Sequence, residues 1–303
     1  MDYKVEDLKR KNGFIALLKK NITGWVLIVP FVVLFICLHW YPIICGFVYS
    51  FFDLKGFTPV KFVGFDNMVR VFNDSNFLKT LWNTVQYVLW SLLIGLPIPI
   101  IVSVLLNEMV YAKTYFKVSL YLPVLIPGVA ACLIWKNIYG EGATGLMNMF
   151  LALVGKEPMM WLADKNKVIM LLVIMSTWKG FGSSTIMYLA TLQGINQELY
   201  EAAKLDGAGI LHRVRYVLLP HIGGTVLLVG VRQIIAVFGI LEQPMMMTDG
   251  GPNGASLSLA LTNWRYAFKF NQYENSFALG VIMFLMVISL TFVYNALDKK
   301  LSD

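Results

Sequence analysis

Long apolar runs separated by short polar segments dominate the chain. A charge-free stretch extends from residue 21 to residue 52. A helix needs about 20 mostly apolar residues to cross a bilayer. Six runs meet that length: about 25–50, 82–106, 116–138, 168–189, 222–241 and 277–297. Pro97 and Pro99 fall inside the second run and should bend it; Pro123 and Pro127 fall inside the third. The expected organisation is a polar N-terminal segment (1–23), a membrane domain (24–298) and a short tail (299–303). No exact internal repeat is present. The first run is too long for the h-region of a signal peptide, about 7–15 residues, and no A-x-A site follows it. It reads as an uncleaved span. Before it, Phe14, Ile15, Leu17 and Leu18 form an apolar group beside Lys19 and Lys20. An interfacial helix and a plain tail both fit that pattern.

Composition agrees with lipid as the main solvent. Hydrophobic residues make up 57% of the 303, charged residues 14%, and the mean hydropathy is +0.65. A soluble domain carries roughly 25% charged residues. The net charge of +7 comes from Lys and Arg spread over many short segments, which argues against a nucleic-acid surface. With both ends placed in the cytoplasm, the inside segments hold 13 Lys and Arg in 71 residues and the outside segments 10 in 97. That bias favours cytoplasmic termini. Cys37, Cys45 and Cys132 all lie in apolar runs without CxxC spacing, so neither a disulfide framework nor a metal site is expected.

One connection is unlike the others. Residues 194–222 read GINQELYEAAKLDGAGILHRVRYVLLPHI. Asn196 is a good N-cap, and Glu198 falls in the first turn, where the helix dipole favours a negative charge. Residues 201–205 are strong helix formers. Gly207 and Gly209 supply a terminating turn, a second helical stretch follows, and Pro220 marks the approach to the fifth span. Two short helices joined by a glycine turn suit docking into a groove on a partner. An amphipathic linker lying on lipid fits the same residues.

Glu201-Ala202-Ala203, Asp206-Gly207-Ala208 and Leu219-Pro220 resemble the EAA signature of bacterial ABC importer permeases, with the spacing of the carbohydrate-uptake group. The likeness continues in order along nearly the whole chain. It takes in Phe62-Val63-Gly64-Phe65-Asp66-Asn67, Asn83-Thr84, Leu122-Pro123, Trp135 and Gly145-Leu146-Met147-Asn148. Trp161-Leu162-Ala163-Asp164, Trp178-Lys179-Gly180, residues 189–195 and Thr248-Asp249-Gly250-Gly251-Pro252 complete it, with Asp249 where the family often has Gly. The resemblance implies an all-α integral membrane protein of the bacterial plasma (inner) membrane. It implies six spans, both termini cytoplasmic, and a cytoplasmic coupling loop at 196–219. It also implies a second permease subunit, as a heterodimer, a cytoplasmic ABC ATPase dimer and an extracytoplasmic solute-binding protein. Glu201, Ala202, Ala203, Asp206, Gly207 and Pro220 would couple to the ATPase.

The chemistry the chain lacks points the same way. There is no G-x-x-x-x-G-K-[ST] phosphate loop, so ATP and Mg belong on the partner and no cofactor is expected here. His39, His212 and His221 lack ligand spacing, and no GxSxG elbow exists. The chain is therefore not expected to be an enzyme. A secondary, ion-coupled transporter is the competing reading; the near absence of carboxylates inside the spans counts against it. Lys179 and Arg232 are the charges within spans, and structural pairing is the expectation for both. A sugar presents apolar ring faces and many hydroxyls, so aromatic and amide groups suit it. On that basis Trp178, Tyr188, Gln233 and Phe238, together with Lys179 near mid-span, are the candidates along a sugar pathway. Trp25, Trp40, Tyr41, Trp82 and Trp264 read as interface-belt residues.

Overall fold

The computed structural model describes residues 22–109, 111–195, 198, 203 and 205–302. The fold is a bundle of long helices with a small antiparallel hairpin at one end. Five helices are long and apolar enough to cross a membrane: α1 (Ile22–Tyr49), α3 (Phe77–Glu108), α7 (Val168–Gln193), α8 (Val214–Phe238) and α10 (Tyr273–Ser302), the last over Tyr273–Phe292. The third expected span is not one helix. It is a pair, α4 (Lys113–Leu125) and α5 (Gly128–Ile138), bent by 98°. The reason is local: Ile126 precedes Pro127, which disfavours helical backbone, and it adopts φ −70°, ψ 128°. Pro127 then starts α5 as its N-cap residue. Pro97 and Pro99, by contrast, only interrupt α3 at Leu96, and the helix continues to Glu108.

Shorter elements close the hairpin end. Strands β1 (Phe52–Lys55) and β2 (Thr58–Phe62) pair antiparallel with a bulge after Asp53. Helices α2 (Asp66–Phe72), α6 (Leu146–Leu153) and α9 (Leu259–Phe268) lie among the connections there. Ser258 caps α9, its Oγ accepting from the Leu261 N–H, and the same hydroxyl donates to the Ile240 carbonyl just after α8.

The core is built around α7. Tyr87, Leu172 and Met175 are fully buried together with Cys132 and Val168. A second cluster joins Val71, Phe238, Leu259, Leu279 and Ile282, and a third joins Val104, Tyr188, Leu218 and Ile222. Where α4 crosses α7, Gly182 brings the two backbones together. A Cβ at that position would fall 2.1 Å from the Leu120 carbonyl oxygen. Small residues permit such close crossings in lipid, where packing and not water exclusion holds helices together. α1 touches α10 through Tyr49 and Phe277, with ring centroids 5.7 Å apart, and presents an exposed apolar surface over most of its length. That surface suits lipid.

Candidate functional site

A cavity of about 580 Å³ opens between α3, α7, α8 and the segment after α8. Its α7 wall sets Ser176, Thr177, Gly180, Ser183 and Ser184 beside the apolar Val173, Phe181 and Met187. Those residues recur at helical spacing and form one face, on which four hydroxyls interrupt an otherwise apolar span. Ser91 and Gly95 come from α3, and Arg232 and Gln233 from α8. α8 ends at Phe238, and the chain turns at Gly239 to bring Glu242 and Gln243 into the same cavity.

Each polar group has a definite setting. The Gln233 amide lies against Gly95, where a Cβ would fall 2.1 Å from Nε2, and it donates to the Ser91 carbonyl at 2.6 Å. The Glu242 carboxylate lies against Gly128, the first residue of α5; a Cβ there would be 1.7 Å from Oε2. The break in the third span thus gives this carboxylate a helix N-terminus, whose partial positive charge favours it. Arg232 makes no hydrogen bond or ion pair with the described residues, nor does Lys179, so the expected structural pairing is absent for both.

Of the five pathway candidates, Gln233 lines the cavity. Trp178 packs edge-on against Trp135, centroids 5.6 Å apart, in the core behind α7. Lys179 is half-buried beside it and outside the cavity wall. Tyr188 is wholly buried among Val104, Leu218 and Ile222, its hydroxyl without a partner. Phe238 is buried against Leu259 and Leu279. The α7 hydroxyls, Arg232 and Glu242 were not among the sequence candidates for the pathway. The signal for the hydroxyls was their recurrence seven residues apart, Ser176 with Ser183 and Thr177 with Ser184, within an apolar run.

The second site is the loop between α7 and α8. Glu201 and Ala202 lie outside the described residues. Ala203 and Leu205 are helical, and the helix ends in a left-handed turn with Gly207 at φ +77°. The Ala208 N–H donates to the Ala203 carbonyl at 3.0 Å. That six-to-one bond across a left-handed glycine is the Schellman termination. Asp206 is exposed, and Leu205 is 89% exposed. Ala203 and Ala208 meet Arg213 and Tyr216 around a shallow depression. A helical turn, Ile210–Arg213, and a wide turn, Val214–Leu218, lead into the rest of α8. The wide turn sits just before Pro220, which has no N–H for the helical ladder. Arg213 pairs with Glu108 at 3.3 Å, tying the loop to the end of α3.

The ordered motifs read in the sequence are fastenings of the hairpin end. The buried Asn67 amide donates to the Ser50 and Phe52 carbonyls. Asn83 donates to the Gly254 and Leu257 carbonyls, and Thr84 Oγ1 accepts from the Leu259 N–H. Asn148 donates to the carbonyls of Gly140, Gly142 and Met159 and accepts from the Met159 N–H and Trp161 Nε1. Asp249 takes a left-handed conformation, φ +43°, and Arg265 holds both its carboxylate and its carbonyl. The Asn166 N–H and the Lys167 ammonium hold the Asp164 carboxyl below its ordinary range. Burial, then the bond to Asp74, pushes the Tyr266 phenol above its ordinary value.

A bundle of five spanning helices and one sharply bent helix pair, with a polar cavity and a surface loop ending in a glycine turn, is the architecture of an importer permease. The chain belongs to the family of binding-protein-dependent transport system inner membrane components, which it matches over residues 12–303. It is a multi-pass inner-membrane protein, and its family is one of transport subunits. It is 31% identical over 280 residues to the arabinooligosaccharides transport system permease protein AraP of Halalkalibacterium halodurans, covering 91% of this chain and 88% of that one. It is 29% identical to AraP of Bacillus subtilis (93% and 89% covered) and to the multiple sugar-binding transport system permease protein MsmF of Streptococcus mutans (91% and 95%). Its fold matches a solved bacterial ABC transporter involved in the import of the acidic polysaccharide alginate. The TM-score is 0.84 at 21% identity, covering 96% of this chain and 99% of that one. The sequence resemblance to carbohydrate-uptake ABC permeases is thereby borne out.

Proposed function

We propose that this chain is one of two permease subunits of a sugar importer, forming with its partner the passage for an oligosaccharide or related polyol. The cavity between α3, α7 and α8 carries this reading. Its hydroxyl stripe and the Gln233 amide suit a polyhydroxylated ligand, and its volume falls in the range of small-molecule sites. The named substrates of AraP and MsmF support the same class.

The loop at 196–219 is the coupling segment. In its described part the Schellman turn and the Arg213–Glu108 pair hold the backbone with Leu205 exposed, which suits a groove on a cytoplasmic ATPase dimer. ATP binding there closes the ATPases, the loop transmits the movement to α3 and α8, and the spans reorient around the cavity. The loop end is cytoplasmic, and the hairpin end receives a solute-binding protein. A solved relative in complex with an alginate-loaded periplasmic protein supports that partner. The spanning helices carry acidic residues only near their ends, Glu108, Glu274 and Asp298, which disfavours an ion-coupled carrier. Affinity purification in mild detergent, followed by mass spectrometry, tests the assembly. A stoichiometric ATPase and a second six-span subunit are expected; a chain that purifies alone would sink it.

A further inference from the structure

The cavity's charges are not balanced in the same way. Glu242 has a counter-charge inside the chain: its carboxylate lies against Gly128, at the N-terminus of α5. Arg232 has none. Arg232 is exposed and lines the cavity together with Gln233, Ser183 and Ser184, without an ion pair or hydrogen bond to any described residue. An ionised group in a spanning helix is costly and marks a pathway when nothing in the chain neutralises it. Its planar fork matches a carboxylate in a bidentate manner.

Taking the sugar-permease reading as given, we propose that Arg232 is the specificity-determining group of the passage, and that the cargo is a saccharide bearing a carboxylate, of the uronate class. The carboxylate sits on Arg232, and the ring hydroxyls face Gln233 and the α7 hydroxyl stripe. The N-terminus of α5 beneath Glu242 offsets that carboxylate's repulsion of the cargo.

The test uses the whole complex, with both permeases, the ATPase and the binding protein, in vesicles charged with ATP. Trigalacturonate and maltotriose are the probes, and R232Q and R232K the variants. Wild-type vesicles should accumulate trigalacturonate. R232Q should raise its half-saturating concentration about ten- to a hundredfold, the loss expected for a charge-assisted pair, and R232K, which keeps the charge but not the planar fork, should restore only part of it. Recovery of R232Q with its partners at wild-type stoichiometry shows that it folds and assembles. Uptake of maltotriose but not trigalacturonate by the wild type overturns the proposal while leaving the sugar-permease reading intact. So does equal uptake of trigalacturonate by R232Q and wild type. Loss of the second permease from R232Q complexes also overturns it, because Arg232 would then serve the subunit interface. ATP-independent movement, or uptake of neither saccharide, defeats the parent reading itself.

Discussion

Gly182 tests the packing on which the cavity depends. It lies on α7 two residues beyond Gly180, yet the two glycines have opposite surroundings. A Cβ on Gly182 would stand 2.1 Å from the Leu120 carbonyl oxygen and 3.1 Å from the Tyr121 Cα, whereas one on Gly180 would meet nothing within 4 Å. Non-bonded atoms settle at about 3.5 Å. Gly182→Ala therefore requires α4 and α7 to separate by about 1 Å, against backbone that cannot rotate away. Overpacking of this kind costs about 1–3 kcal/mol. Gly180→Ala adds a methyl to open space and should be neutral or slightly stabilising, since alanine favours helix by up to ~1 kcal/mol. Thermal unfolding of the purified complex in detergent should show Gly182→Ala lowered by several degrees and Gly180→Ala unchanged. Equal effects would refute the close crossing of α4 on α7.

Other expectations follow from single residues. Asn148→Ala strips five hydrogen bonds from the connection between α5 and α7 and should cost about 3 kcal/mol, read as raised proteolysis between residues 140 and 161. Gly207→Pro demands φ near −65° where the chain has +77°, so it should abolish stimulated ATPase activity of the assembled complex while the chain stays in the membrane; normal coupling would remove this loop from its role. The Tyr266 phenol, raised by burial and by Asp74, contributes stability that is complete below its ordinary value near 10 and is lost as pH rises through the raised one. Tyr266→Phe should therefore cost about 2 kcal/mol at neutral pH but show a flatter alkaline limb in thermal melts.

The spans were legible because a bilayer sets a length that few other structures need. Broken symmetry was harder to read. Ile126-Pro127 carried the signal for the 98° bend, but an unbroken apolar run hid it. Arg232 and Glu242, ten positions apart, are about 15 Å apart along one helix. That distance applies only to a continuous helix, and α8 stops at Phe238. The cavity stripe was obscured for a different reason. Serine and threonine in spans commonly bond their own helix, as Ser176 does to the Leu172 carbonyl at 2.9 Å, so their presence alone marks no ligand. The aromatic candidates failed to converge because Trp178, Tyr188 and Phe238 fill three different packing clusters. Nor does the sequence alone reveal that Asn67, Asn83 and Asn148 fasten loops, since each ties segments that its own neighbours do not contain.

The most direct test of the account is solute uptake into vesicles holding this chain with its co-purified subunits. ATP supplied on the loop side, with the binding protein on the hairpin side, should drive saccharide accumulation that stops when ATP is withheld. Accumulation driven by an ion gradient, with the ATPase removed, would contradict it.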